Sequence, residues 1–216
     1  MLIKDIMTHD VIAIGPEIPI VDAVTMMKLR NIQHFPIMDE SGQLVGIVSE
    51  RDLLIVSSEH ETAPQNIELK DPVNKIMTRS VKTCNSLEPI EEVAKRLLKQ
   101  NIGSMPVIDN NKLVGIVTAK DFLKAVEKIS GGKLETTRIE VEVENQPGAL
   151  AKLLNFLAER NVNVNAVMTS WSDNDVVCFV LRIVCKQPNS LLESLQRADF
   201  HILWPNTELL KMPTTA

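Results

Sequence analysis

The stretch from Ile6 to Leu54 is written a second time, from Ile76 to Leu123. Met7-Thr8 recurs as Met77-Thr78, Ile20 as Ile90, Asn31-Ile32 as Asn101-Ile102, and Pro36-Ile37-Met38-Asp39 as Pro106-Val107-Ile108-Asp109. The spacing is 70 residues to that point and 69 afterwards, because Ser41-Gly42 is matched by Asn111 alone. Leu44-Val45-Gly46-Ile47-Val48-Ser49-Glu50-Arg51-Asp52 then returns as Leu113-Val114-Gly115-Ile116-Val117-Thr118-Ala119-Lys120-Asp121. Two tandem copies imply two like supersecondary units that bury their apolar faces against each other. A pseudo-symmetric pair of clefts between them is where function is to be sought.

Each copy opens with a short extended segment, Val11 to Ile14 or Val81 to Cys84. A helix follows, striped by Ile20, Ala23, Val24 and Met27, or by Ile90, Val93, Ala94 and Leu97, the i, i+3, i+4, i+7 spacing of a buried face. Strands Phe35 to Met38 and Met105 to Ile108 enter turns at Asp39-Glu40-Ser41-Gly42 and Asp109-Asn110-Asn111. Return strands, Leu44 to Val48 and Leu113 to Val117, lead into a last helix at Ser49 or Thr118, so the order is β-α-β-β-α, twice. The polar residues 57–70 read as the loop between copies, and Ser130-Gly131-Gly132-Lys133 as a flexible linker.

Beyond that break the repeat does not return. Residues 138–144 alternate, with Ile139, Val141 and Val143 on one face and Glu140, Glu142 and Glu144 on the other, as in a half-buried strand. Asn145-Gln146-Pro147-Gly148 turns into a helix striped by Leu150, Leu153, Leu154, Leu157 and Ala158. Residues 162–169 alternate again, and Ser172-Asp173-Asn174 reads as a hairpin turn into Val176 to Val184. A helix carrying Leu191, Leu192 and Leu195 and a short strand ending at Trp204-Pro205 complete β-α-β-β-α-β, a ferredoxin-like layout. The fold class expected is α/β (α+β), with domains 1–60 and 61–129 for the repeats, a linker 130–135, a third domain 136–206 and a tail 207–216.

Composition narrows the functions. The net charge is −5, basic residues form no stripe and tyrosine is absent, so a nucleic-acid partner is not expected. No run approaches the roughly 20 apolar residues of a membrane span, and Lys4, Asp5, His9 and Asp10 near the start do not read as a signal peptide. Cys84, Cys178 and Cys185 are odd in number and lack zinc spacing, which points to a reducing, cytoplasmic setting and to no metal. No Ser-His-Asp arrangement or phosphate loop with a catalytic lysine is present, and Glu50 and Asp52, two apart on a helix start, point in different directions. An enzyme is not expected.

The motif Gly-h-h-[Ser/Thr]-x-[Arg/Lys]-Asp, where h is apolar, occurs at Gly46 to Asp52 and Gly115 to Asp121. One reading is a capping box, with Ser49 or Thr118 at the N-cap and Asp52 or Asp121 at N3. That leaves the basic residue unexplained, and the glycine too, unless a bulky side chain there would cover the helix mouth. The other reading is a ligand site: a helix N-terminus with a free hydroxyl and a cation for phosphate, and a carboxylate for a ribose diol.

The tandem copies, with their Met-Thr-x-x-Val openings, Pro-h-h-Asp strands and Gly-h-h-[Ser/Thr]-x-x-Asp helix starts, resemble a cystathionine-β-synthase (CBS) domain pair over about residues 1–128. The resemblance implies a module that senses adenine nucleotides or other adenosyl compounds without requiring a cofactor. It implies one cleft built from Ser49, Arg51 and Asp52 with Thr78, Val81, Thr83, Gly103 and Ser104. The other would combine Thr118, Lys120 and Asp121 with Thr8, Val11, Ala13, Gln33 and His34. One cation per site favours AMP, ADP or another adenosyl compound over a triphosphate. His34 stands where the second copy has Ser104, and also reads as a half-buried histidine bonded to backbone.

Asn145-x-Pro-Gly-Ala-Leu, after a strand and opening a helix, also reads as a plain turn in which Asn145 caps. In its strand-turn-helix context it resembles an ACT domain over roughly residues 136–204. That resemblance implies an amino-acid-type ligand held by Asn145, Gly148, Ala149 and Leu150, with Asn163 reaching the pocket of a neighbouring subunit. Val143 stands where serine-binding members carry histidine, which argues against serine. A CBS pair followed by ACT and closing on His201-Ile202-Leu203-Trp204-Pro205-Asn206 resembles the acetoin-utilisation AcuB family of bacterial regulators. The expectation is a cytoplasmic, homodimeric, non-catalytic regulator that answers small-molecule effectors and acts on an unidentified enzyme. The rival is a dimeric interaction scaffold with unoccupied clefts; retention of both Asp52 and Asp121 favours sensing.

Overall fold

In a computed structural model, residues 1–57, 66–132, 135–173 and 175–205 are described. The centre of the inter-repeat loop, Lys133, the turn residue Asn174, Asn206 and the tail 207–216 lie outside the described residues. The chain divides into two compact units, Met1–Lys124 and Ala125–Ala216.

In the first unit the apolar stripe of the first copy forms α1 (Ile20–Arg30). The hairpin is β1 (His34–Met38) and β2 (Leu44–Ser49), followed by α2 (Glu50–Ser57). The second copy supplies α3 (Ile90–Gln100), β3 (Ser104–Asp109), β4 (Lys112–Thr118) and α4 (Ala119–Ile129). The repeated asparagines have a backbone explanation. Asn31 and Asn101 each end a helix at φ 52°, the left-handed region that asparagine tolerates better than most side chains.

The expected opening strands shrink to single bridges: Ile14 lies parallel to Ile37, and Cys84 parallel to Val107. The other edge of each hairpin is taken by the opposite copy. Ile47 and Thr78 exchange backbone hydrogen bonds of 3.0 and 2.9 Å, and Thr8 and Ile116 exchange bonds of 2.9 and 3.0 Å. Each repeat thus lends its opening segment to the other repeat's sheet. The cores follow suit: Val73 and Met77 are buried among Ile20, Met27, Phe35, Ile37 and Val48, while Ile3 is buried among Val93, Met105, Val107 and Val117.

This exchange explains the repeated glycines. A Cβ on Gly46 would stand 2.4 Å from Met77 Sδ, and one on Gly115 would stand 2.5 Å from Met7 Sδ and 3.0 Å from the Thr8 carbonyl oxygen. Glycine at both positions therefore makes room for the crossing segment.

Gly131 and Gly132, expected to begin a flexible linker, instead close α4. Gly131 has φ 66°, its N–H donates to the Lys128 carbonyl, and the Gly132 N–H donates to that of Glu127. This is a Schellman cap, in which the glycine relieves the left-handed turn.

The second unit contains β5 (Thr137–Glu144), α5 (Ala149–Ala158), β6 (Asn163–Asp173), β7 (Val176–Val184), α6 (Pro188–Arg197) and β8 (His201–Trp204). The sheet order is β6-β7-β5-β8 and every pairing is antiparallel, as the ferredoxin-like layout requires. Ile139, Val141, Leu153, Leu157, Leu181, Ile183 and Leu195 are wholly buried between sheet and helices. Each such side chain contributes roughly 1.5–3 kcal/mol relative to exposure. The α5 stripe differs at its end: Ala158 is exposed, and Phe156 packs edge-on against Phe200 at 5.4 Å.

Candidate functional site

The first repeat motif forms the full capping box and the second forms half of it. The Ser49 N–H and hydroxyl donate to Asp52 Oδ2 at 2.8 and 2.7 Å, and the Asp52 N–H donates back to Ser49 Oγ at 3.3 Å. Thr118 repeats the first two bonds to Asp121 Oδ2 at 3.0 and 2.7 Å. The hydroxyls are therefore committed to the carboxylates, not free to donate to phosphate as expected, although their lone pairs remain acceptors. The next helical N–H is also used: Glu50 donates to the Gln33 carbonyl at 2.8 Å and Ala119 to the Gly103 carbonyl at 3.0 Å.

Within the first unit a cleft of about 890 Å³ gathers Ser49, Arg51, Asp52, Thr78, Val81, Gly103 and Ser104. Thr83 is not among its lining residues; Ser80 and Lys82, which sequence reasoning missed, are. Their signal was available, since Lys82 replaces the Ile12 of the first copy in an extended segment. Apolar walls come from Ile47, Ala94, Leu97, Ile102 and Phe122.

Gln33 and His34, expected beside Asp121, line this cleft. The reason is register: His34 lies directly opposite Ser49 across the β1–β2 hairpin, beside its own repeat's motif. Gln33 Nε2 donates to Glu50 Oε2 at 3.1 Å. The half-buried His34 imidazole is held below its usual 6.5 by burial, against the opposing pull of the Asp52 and Glu50 carboxylates.

The other expected set lies outside this cleft. Thr8 is exposed on its bridge to Ile116, Val11 and Ala13 are half-buried, and Lys120 is exposed. Asp121 is only 5% exposed, and its Oδ1 accepts from Lys124 Nζ at 3.2 Å. Asp52, by contrast, is partly exposed, and its Oδ1 makes no hydrogen bond to any described residue.

In the second unit a cavity of about 470 Å³ is lined by Asn145, Gly148, Ala149 and Leu150, together with Gln146, Thr169 and Phe179, which the sequence did not single out. Gly148, at φ 91°, holds the N-cap position of α5 that was expected of Asn145. Asn163 is elsewhere: it pairs with Val184 at the far end of β6, and its amide donates to Asn165 Oδ1 at 2.7 Å. Among the described residues no group of three or more His, Cys, Asp or Glu side chains is placed to hold a metal, and no helix is long and apolar enough to cross a membrane.

Known proteins share parts of this architecture. The CBS domain family matches residues 3–59 and 73–128, and the ACT domain family matches residues 137–199. L-aspartate semialdehyde sulfurtransferase of Methanocaldococcus jannaschii is 37% identical over 133 residues, which is 61% of this chain and 24% of that protein. The chain thus spans about a quarter of the length of the first curated relatives it matches. The solved CBS domain pair of protein MJ0100, in complex with 5′-methylthioadenosine and S-adenosyl-L-methionine, is 36% identical, with a TM-score of 0.53 over 62% of this chain and 98% of that one. A Vibrio cholerae protein described as an acetoin utilization protein (AcuB) is 28% identical, with a TM-score of 0.53 over 63% of this chain and 98% of that one. The chain resembles AcuB, and it belongs to the CBS-domain family as a CBS pair followed by an ACT domain.

Proposed function

We propose that the protein is a non-catalytic regulator whose CBS pair senses an adenosyl compound in the Asp52 cleft. One observation carries this reading: Asp52 Oδ2 is fixed by Ser49 while Oδ1 is left to accept from a ligand. A pre-oriented carboxylate of this kind suits the two hydroxyls of a ribose. The apolar wall beside Val81 suits adenine, and Arg51 and Lys82 suit one or two phosphates, so AMP and ADP join the sulfur-linked adenosyl compounds as candidates. The adenosyl ligands bound by the MJ0100 pair support the same chemistry.

A ligand that touches both hairpins binds one arrangement of the repeats better than another and shifts the population toward it. That shift is the signal passed to a regulated enzyme. In this reading the cavity beside Asn145 takes an amino-acid-type ligand, and a second copy docks on the exposed β6 edge and brings its Asn163 toward that cavity. The likeness to AcuB supports a place in acetoin or related carbon metabolism, and the three free cysteines support a cytoplasmic setting.

A thermal-shift panel of AMP, ADP, 5′-methylthioadenosine, S-adenosylmethionine and amino acids tests the proposal. A ligand at a hundred times its Kd adds about 2.7 kcal/mol of stability. At least one adenosyl compound should raise the midpoint, and Asp52→Ala should remove the rise. No shift with any adenosyl compound would leave Asp52 a helix cap and the protein an interaction scaffold.

A further inference from the structure

The two repeats are close copies, yet their two aspartates are not in equivalent states. Asp52 is partly exposed and spends one oxygen on Ser49. Asp121 is 5% exposed and spends both: Oδ2 on Thr118, and Oδ1 on the Lys124 ammonium at 3.2 Å. Lys124 corresponds to Ile55 in the first copy, so the second oxygen of Asp52 meets no cation from that position.

The opening segments differ in the same sense. The Asp52 cleft is lined by Ser80 and Lys82, whose counterparts for the other position are Asp10 and Ile12. An anionic ligand would meet Arg51 and Lys82 at the first, against a Glu50 carboxylate that accepts from Gln33, and Lys120 alone against Asp10 at the second. A ribose diol, which donates hydrogen bonds, finds an unused acceptor at Asp52. At Asp121 it would have to displace an ammonium from a buried carboxylate.

We infer that the chain binds one adenosyl ligand, in the Asp52 cleft, and that Asp121 is a structural clamp that takes none. This rests on the adenosyl-sensing reading above and adds a stoichiometry to it. The pseudo-symmetric module is then a one-sided sensor, in which ligand loads the Ser49–Asp52 helix start and the Thr118–Asp121 helix start stays locked.

Isothermal titration of the whole protein with 5′-methylthioadenosine, S-adenosylmethionine, AMP and ADP in turn decides it. The expected result, for each probe that binds, is one site per chain, and an affinity weakened about ten-fold or more in Asp52→Asn. Two sites per chain, or one site of unchanged affinity in a folded Asp52→Asn, would overturn the inference while leaving adenosyl sensing intact. Failure of all four probes to bind would overturn both. The wild-type stoichiometry involves no variant and separates one site from two even if Asp52→Asn does not fold. Asp121→Asn, which should leave the one site intact, then shows which aspartate holds it, and loss of binding there would overturn the inference.

Discussion

Adding one carbon at Gly46 tests the exchange of segments on which the CBS module is built. An alanine Cβ there would lie 2.4 Å from Met77 Sδ, 2.9 Å from its Cγ and 3.3 Å from its Cβ. All three contacts belong to one buried methionine, whose thioether can swing aside at a packing cost. Overpacking of this kind costs about 1–3 kcal/mol, and loss of glycine's unfolded-state freedom returns about 0.4–1. Gly46→Ala should therefore destabilise by about 1 kcal/mol. Gly115→Ala should cost more, about 2 kcal/mol, because its Cβ also meets the Thr8 carbonyl at 3.0 Å, and backbone paired with Ile116 cannot swing aside. The assay is urea unfolding followed by far-ultraviolet circular dichroism, since both tryptophans, Trp171 and Trp204, lie in the second unit. A double-mutant cycle sharpens it. Met77→Ala should relieve Gly46→Ala with a coupling of about 1 kcal/mol, whereas Met7→Ala should relieve Gly115→Ala only in part. Strict additivity at the Gly46–Met77 pair would refute the exchanged-segment packing.

Three further outcomes follow from the same geometry. Asp121→Ala should cost about 1–2 kcal/mol in urea unfolding and more than Asp52→Ala, because the cap it removes is buried, whereas Asp52 is partly exposed. The unfolded chain should protonate its histidine before folded His34 does, so stability is full above the usual 6.5 and falls as pH drops through it, until the folded imidazole also protonates; His34→Ser should reduce that slope in urea midpoints taken between about pH 5 and pH 7.5. Light scattering at micromolar concentration should give twice the chain mass, and a monomer would count against assembly through the β6 edge.

Periodicity carried the sequence reading a long way. The stripes of α1 and α3, the two hairpins and the βαββαβ order all follow from spacing, since a buried face imposes a period of 3.6 or 2 on whatever chain makes it. Spacing says nothing about which neighbour completes a sheet. That is why the lending of Thr8 and Thr78 to the opposite hairpins, and with it the reason for Gly46 and Gly115, emerges only in three dimensions. The resemblance grouped Gln33 and His34 with the Asp121 motif, whereas cross-strand register sets His34 opposite Ser49 and both residues line the Asp52 cleft. Gly131-Gly132 misled for a different reason: the pair serves equally as a flexible joint or a helix cap, and only the φ of 66° and the returning hydrogen bonds separate the two. The two aspartates look alike in the motif and differ through Lys124, three residues further on.

The claim at the centre is that Asp52 is a ribose-binding carboxylate as well as a cap. A crystal structure of the protein grown with 5′-methylthioadenosine tests it most directly. The ribose hydroxyls should lie within hydrogen-bonding distance of Asp52 Oδ1, with adenine against the Val81 wall and Asp121 still paired to Lys124. Nucleoside bound elsewhere, or in this cleft with its ribose turned away from Asp52, would contradict the account.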